Sequence, residues 1–287
     1  MNSALLGLVA AVTWGIHDFI GRFASRANGQ LITTLGLSLS GLIVLSVIGT
    51  WQGTSLPSQS DDIVLCAIAG GAYALATLSL LAAYRIGSMS IVSPIAGSYP
   101  AIAVCFGFLT GSRPGLYTWL AIAAVIAGTF LVSRAGKSHE EAGHIEKGQL
   151  GQVLILSIAT SVFFAASLIA GQVAAPANGE FEVTWLARVF AVAIILPFFA
   201  MRSMRGTAPF KWWPALIIMG LLDTVAMLSV FAAGKLTLPE LAIVLGGSFG
   251  AIVTLLAWVL LKEPVTRIQW FGIAMICGGA GILSAGW

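Results

Sequence analysis

Long apolar blocks alternate along this chain with short interruptions rich in charge, glycine or proline. A helix rises 1.5 Å per residue, so about 20 apolar residues cross the hydrocarbon core of a bilayer. Divided at its interruptions, the chain has ten such blocks, approximately 3–22, 31–51, 63–84, 90–110, 115–133, 149–172, 183–201, 213–234, 239–261 and 267–286. Lipid satisfies no backbone hydrogen bond, so each block is expected to be a helix. The longest polar stretch, RAGKSHEEAGHIEKG at 134–148, falls halfway along. It predicts a linker at 137–148 between a first half, 1–136, and a second, 149–287.

The halves echo one another at an offset of 150 residues. GSYPAI at 97–102 returns as GSFGAI at 247–252, and Ile68, Gly70 and Ser79 return as Ile218, Gly220 and Ser229. Ala82–Ala83 matches Ala232–Ala233, Pro114 matches Pro264 and Gly128 matches Gly278. Five helices per half is an odd number, so the second copy enters the bilayer from the opposite side, as in many secondary transporters. The fold expected is an all-α membrane protein: ten transmembrane helices in two inverted five-helix repeats around a central cavity.

Composition agrees. Only 9% of residues are charged and 58% are hydrophobic, against roughly 25% charged in soluble domains, which leaves too little charge to cover a water-facing surface. A net charge of +3, scattered along the chain, gives no footprint for nucleic acid. Cys66, Cys105 and Cys277 lie in apolar runs without a CxxC pair, and read as packing residues rather than a disulfide or metal set. No basic segment precedes the first apolar block, which therefore reads as a membrane helix rather than a cleaved signal. Loops after the odd-numbered blocks hold eleven Lys and Arg, among them Arg22, Arg85, Arg134, Arg202 and Lys262, while the other loops hold two, Arg113 and Lys235. That bias places the odd loops in the cytoplasm and both termini outside, in a cell (inner) membrane.

LKEPVTRIQWFGIAMICGGAGIL at 261–283 resembles the closing signature of the drug/metabolite transporter superfamily, EamA type, in which a Glu-Pro turn joins helix 9 to a glycine-rich helix 10. Trp14–Gly15 resembles the family's opening motif. The likeness spans the chain, and within the family it is greatest to aromatic amino-acid exporters of the YddG type. It departs in having Arg113–Pro114 where the second half has Glu263–Pro264, and in a charge bias that puts the termini outside, where many relatives have them in the cytoplasm.

An ionisable group within a membrane helix costs at least a few kcal/mol and is a functional candidate by default. Asp223 lies near the middle of the eighth block, and its repeat partner is Tyr73. It suits a substrate ammonium or a proton, or else an interhelical ion pair. Arg188, one turn beyond Trp185, suits a substrate carboxylate held by two parallel hydrogen bonds. It also suits snorkelling to the interface or pairing with Asp223. His17 and Asp18 follow Trp14 near the predicted end of the first helix, where Asp18 and Arg22 are spaced for an i,i+4 pair and His17 is placed to titrate near neutral pH. Gly97–Ser98 and Gly247–Ser248 suit close helix approach. Tyr99 and Ser248 are expected to line a cavity beside helices bent at Pro94 and Pro100.

Three kinds of function compete. An intramembrane enzyme needs a nucleophile with a base, or metal ligands. GGSFG at 246–250 has the G-x-S-x-G spacing, but it lies inside an apolar helix rather than a strand-to-helix elbow. A channel needs like residues repeated around a pore, and the two halves carry unlike polar sets. A secondary transporter needs inverted repeats and scattered polar groups at depth, and both are present. The substrate expected is a small amphipathic metabolite, an amino acid and aromatic ones best, at a site including Trp14, His17, Tyr73, Tyr99, Trp185, Arg188, Asp223 and Ser248. Cationic drugs are the alternative. The expectation is export by a functional monomer in the lipid bilayer, with no cofactor, no metal and no nucleic-acid partner.

Overall fold

The computed structural model describes residues 2–54, 60–86, 89–135, 149–201 and 210–285, so the predicted linker at 137–148 lies outside the described residues. Twelve α-helices occur among them. They are α1 Ser3–Asn28, α2 Gln30–Gln52, α3 Ser60–Ile86, α4 Met89–Ala96, α5 Tyr99–Leu109, α6 Leu116–Ala135, α7 Leu150–Asn178, α8 Glu180–Met201, α9 Trp213–Ala232, α10 Glu240–Gly246, α11 Phe249–Leu261 and α12 Arg267–Ala285. Eight spans are long and apolar enough to cross a bilayer, with α10 and α11 counted together. Two further predicted blocks correspond to α8, which carries Glu180, Glu182 and Arg188, and to the pair α4–α5.

The predicted count of ten is therefore not met helix for helix, and the reason is local. The fourth and ninth blocks break at Gly97–Ser98 and Gly247–Ser248, the dipeptides that repeat in the sequence. The two breaks are built alike. Ser98 and Ser248 sit at φ −82°, ψ −1° and φ −81°, ψ 7°. Ser98 Oγ donates to the carbonyl of Ile95 at 2.7 Å, and Ser248 Oγ to that of Leu245 at 2.6 Å. Each of these carbonyls also accepts the backbone N–H of the same serine, at 3.1 and 3.0 Å, so the turn at each break is held twice. The breaks also approach each other: a Cβ added at Gly247 would lie 2.6 Å from Pro100 Cγ.

With each broken pair counted once, the described residues hold five helical segments on either side of 137–148. Packing between helices follows the same two-fold relation. α1 lies on α9 as α3 lies on α7, α2 lies on α9 as α8 lies on α3, and α6 packs on its own counterpart α12. The relation reaches single atoms. A Cβ on Gly70 would come within 2.0 Å of the Ala187 carbonyl oxygen, and one on Gly220 within 2.6 Å of the Leu37 carbonyl oxygen. Both residues of the second contact are offset by 150 from those of the first. Small residues let backbones meet because lipid provides no hydrophobic drive between helices.

Apolar residues fill the interior and also cover much of the outer surface. Ile43, Val47, Ile155 and Phe271 are more than 60% exposed on the outer faces, while Ser157, Thr160, Ser161, Ser167 and Gln172 are buried between helices. The exposed apolar surface faces lipid, and the chain is a multi-pass membrane protein.

Several helices outrun their predicted ends. α1 continues to Asn28, so His17 and Asp18 lie within its length rather than near its end. The pair expected between Asp18 and Arg22 gives way to two others. His17 Nδ1 lies 2.7 Å from Asp18 Oδ1, and Arg22 donates through both terminal nitrogens to Glu263 at 3.1 and 2.6 Å. The Glu-Pro turn explains how Glu263 gets there. Lys262 ends α11 in the left-handed conformation at φ 58°, and the Glu263 N–H closes back on the Ala257 carbonyl. The resulting bidentate pair ties α1 of the first half to the last turn of the second.

The close approaches predict that Gly70→Val and Gly220→Val each destabilise the protein by about 1–3 kcal/mol through overpacking, read as a lower thermal midpoint in detergent. Gly278→Ala, where nothing lies within 4 Å, should leave the midpoint unchanged or raise it. The Glu263 carboxyl is held below the ordinary glutamate value of 4.5 by its hydrogen bonds from Arg22. A depressed carboxyl stabilises the fold above its unfolded value and loses that contribution as pH falls through the folded one. The midpoint gap between wild type and Glu263→Gln should therefore narrow as the pH falls from about 6 to about 3.

Candidate functional site

Arg188 and Asp223 are 3% and 2% exposed, and they meet where the two halves join. Arg188 Nη2 donates to Asp223 Oδ2 at 2.5 Å. The other carboxylate oxygen, Oδ1, accepts the indole N–H of Trp14 at 2.9 Å. The guanidinium lies 5.5 Å from the centroid of the Tyr73 ring, a cation–π distance. Four helices thus converge on one ion pair: α1 through Trp14, α3 through Tyr73, α8 through Arg188 and α9 through Asp223. Gly41 on α2 lies beside the pair: an added Cβ there would come 2.8 Å from Thr224 Oγ1 and 3.3 Å from the Gly220 carbonyl oxygen, and would stand at ordinary contact distance, 3.6 Å, from Arg188 Nε.

The repeat gives this cluster a second half of different chemistry. The counterparts of Trp14, Asp223 and Arg188 at the 150-residue offset are Phe164, Tyr73 and Ser38. Trp14 hydrogen-bonds Asp223; Phe164, in the equivalent relation, packs edge-on against Tyr73 with centroids 6.3 Å apart. Tyr99 extends the group, its ring 5.9 Å from that of Phe164. A charged pole on one side of the pseudo-two-fold axis therefore faces an aromatic pole on the other, and Arg188 touches both.

Sequence reasoning brought Trp14, Tyr73, Arg188 and Asp223 to one place, and they lie there. Tyr99 belongs to the aromatic pole. His17 lies one turn beyond Trp14, within electrostatic reach of Asp223 and Arg188, and its Nε2 is buried without a hydrogen-bond partner among the described residues. Trp185 stands apart from the ion pair, donating its indole N–H to Ser46 Oγ on α2 at 2.9 Å. The hydroxyl of Ser248 is bound to the backbone at the break in the second half. Gly246 packs closely against Trp14, whereas an added Cβ at Gly250 would meet nothing within 4 Å. Phe164 was missed, although its 150-residue offset from Trp14 marks it.

The central cavity expected from sequence is, beside the ion pair, a void of about 10 Å³ lined by Gly70, Tyr73, Ala187, Arg188 and Met227 among others. That is room for about one water. Removing one partner of a buried pair leaves an uncompensated charge, typically costing 3–5 kcal/mol, whereas replacing both by apolar groups is often neutral. Asp223→Leu alone should therefore lower the thermal midpoint steeply. Arg188→Leu with Asp223→Leu should recover most of the loss, giving a coupling of about 3 kcal/mol in a double-mutant cycle.

A search of curated proteins by sequence returned no match. One solved crystal structure superposes with a TM-score of 0.82, covering 99% of this chain and 96% of the other at 18% identity, a likeness of fold alone. The model of the EamA-like transporter family matches twice, over residues 1–134 and 151–285. These two matches fall on the two repeats and meet at the polar stretch between them. The chain belongs to the EamA-like transporter family of the drug/metabolite transporter superfamily.

Proposed function

We propose that this transporter exports amino acids, aromatic ones among them, across the cytoplasmic membrane by alternating access around the Arg188–Asp223 pair. The observation that carries the reading is the division of the central cluster into a charged pole and an aromatic pole. A zwitterion is the ligand that can enter such a site without leaving a charge bare. Its carboxylate replaces Asp223 on Arg188 in a bidentate contact, and its ammonium replaces Arg188 on Asp223. Each protein charge keeps a partner throughout, so the exchange avoids the several kcal/mol of an orphaned buried ion.

The rest of the ligand then meets Tyr73, Phe164 and Tyr99. Aromatic contacts add about 0.5–1.5 kcal/mol beyond the burial of area, which favours tryptophan and phenylalanine over a small polar residue such as threonine. A cationic drug is the competing substrate. It satisfies Asp223 and leaves Arg188 unpartnered, and the site resists it on that ground. Separating the pair on binding supplies the volume that the closed arrangement lacks, and it loosens a contact to which both halves contribute.

The lysine and arginine bias favours cytoplasmic loops after the odd-numbered spans and termini on the outside. With both repeats in one chain, the site is complete in a monomer. The chain's part in this reading is binding and gated passage, with no covalent step.

Proteoliposomes loaded with labelled tryptophan, phenylalanine or threonine, or with a quaternary ammonium drug, test the reading directly. Efflux of the aromatic amino acids should exceed that of threonine by about tenfold, the equivalent of roughly 1.4 kcal/mol, and Arg188→Gln should abolish it. Efflux of the drug alone would overturn the zwitterion reading and return Arg188 to a structural role.

A further inference from the structure

His17 has one ring nitrogen engaged and the other bare. Nδ1 lies 2.7 Å from Asp18 Oδ1, while Nε2 is buried with no hydrogen-bond partner among the described residues. An ionised carboxylate only accepts, so Nδ1 carries the proton of the neutral ring, and that bond leaves the lone pair on Nε2. A buried acceptor without a donor is costly to keep.

The depth of that acceptor follows from the packing of α1 on α9. The two helices run antiparallel: Trp14 bonds Asp223, and a Cβ added at Gly21 would lie 3.1 Å from Met219 Cε. His17 is three residues after Trp14 and four before Gly21, on the same face of α1. Asp223 is four residues after Met219. One turn along each helix from the Gly21–Met219 contact therefore brings His17 and Asp223 to the same depth. The charged groups that act on His17 are Asp18, Asp223 and Arg188. Of the helices packed on α1, α2 and α11 carry no charged residue, α9 carries Asp223 alone, and α10 and α12 carry Glu240 and Arg267 only at their first residues.

Asp18 connects the ring to water. Leu5, Val9, Val12 and Phe23 form an exposed stripe along α1 that faces lipid. Asp18 lies about 140° round the helix from Leu5 at about 100° per residue, yet its side chain is 41% exposed. Gly15, packed against Ile252 of α11, stands between Asp18 and the stripe. The carboxylate therefore opens on a space inside the protein rather than on hydrocarbon.

A substrate ammonium has three N–H donors. One goes to Asp223 in the exchange proposed above, and Nε2 is an acceptor at the same depth for a second. That lone pair is also where the ring takes up a proton, so the two occupants exclude each other. Building on the amino-acid reading, we propose that His17 Nε2 accepts a hydrogen bond from the substrate ammonium, in competition with a proton, so that one proton is exchanged for each amino acid carried. Loading breaks the Nε2–H bond and passes its proton to the water at Asp18. After release the bond forms again with a proton from the other side. The empty site carries imidazolium against the Asp18 carboxylate, and the loaded site carries a neutral ring against the ammonium. By linkage, each occupant weakens the other by the same factor. Asp18 is a positioning residue, which keeps the proton of the neutral ring on Nδ1.

Calorimetry of tryptophan binding to the purified full-length chain in detergent tests this between about pH 5.5 and 8, where tryptophan stays a zwitterion. Buffers of different ionisation enthalpy report the protons released. Affinity should fall by up to about tenfold per pH unit toward the acid end, with up to one proton released per tryptophan bound. His17→Leu should weaken binding at pH 8 by about tenfold and flatten the profile. His17→Gln restores an acceptor that does not titrate, and should recover much of the binding while the profile stays flat. Asp18→Ala releases the tautomer and should weaken binding at pH 8 several-fold. Thermal midpoints show that each variant is folded, and the wild-type profile and proton count stand without them. A flat wild-type profile with no proton released, or a pH dependence that survives in both His17 variants, would overturn the proton exchange and leave amino-acid binding in place. Absence of tryptophan binding at every pH would overturn the amino-acid reading and the His17 subsite together.

Discussion

A bilayer offers no counter-ion to a buried charge, so Arg188 and Asp223 have only each other and the few polar atoms brought to them. Their 2.5 Å contact fixes what surrounds it. Trp14 presents its indole N–H to the second carboxylate oxygen, and Tyr73 lays its ring beside the guanidinium. Four helices drawn from both halves contribute a group apiece, so the pair cannot separate without those helices shifting. A buried pair of this kind adds little net stability compared with an apolar core. In the proposed function, a ligand that takes one charge without supplying the other meets a penalty, which favours a molecule carrying both.

The two-fold relation between the halves supplies the mechanics. Gly70 against Ala187 and Gly220 against Leu37 are the same contact made twice, and the breaks at Gly97–Ser98 and Gly247–Ser248 are the same hinge made twice. Matched breaks of this kind are the symmetry that the proposed alternating access would use. The chemistry is deliberately unequal within that frame. Trp14, Asp223 and Arg188 have Phe164, Tyr73 and Ser38 as their counterparts at the 150-residue offset.

Much of this was legible in the sequence because the bilayer restricts the options. Apolar blocks of spanning length could only be helices, and an offset of 150 residues could only be a repeat. Asp223 and Arg188 stood out because ionisable groups at depth are costly, and Tyr73 followed as the repeat partner of Asp223. Other features depended on geometry that hydropathy does not encode. The breaks at 97–98 and 247–248 lie inside unbroken apolar runs, and glycine with serine there reads equally well as packing. The extension of α1 to Asn28 was hidden because polar residues continue a helix beyond the apolar stretch. That extension moved Asp18 away from the expected edge and left Arg22 to find Glu263 across the chain. Trp185 has the residue type expected of a substrate site, but its donor is taken by Ser46, a partner that sequence spacing does not reveal.

A structure of the protein with tryptophan bound tests the central claim most directly. Arg188 and Asp223 should be found apart, the substrate carboxylate on Arg188, its ammonium on Asp223 and its indole among Tyr73, Phe164 and Tyr99. Tryptophan bound elsewhere, with the Arg188–Asp223 contact still closed, would contradict it.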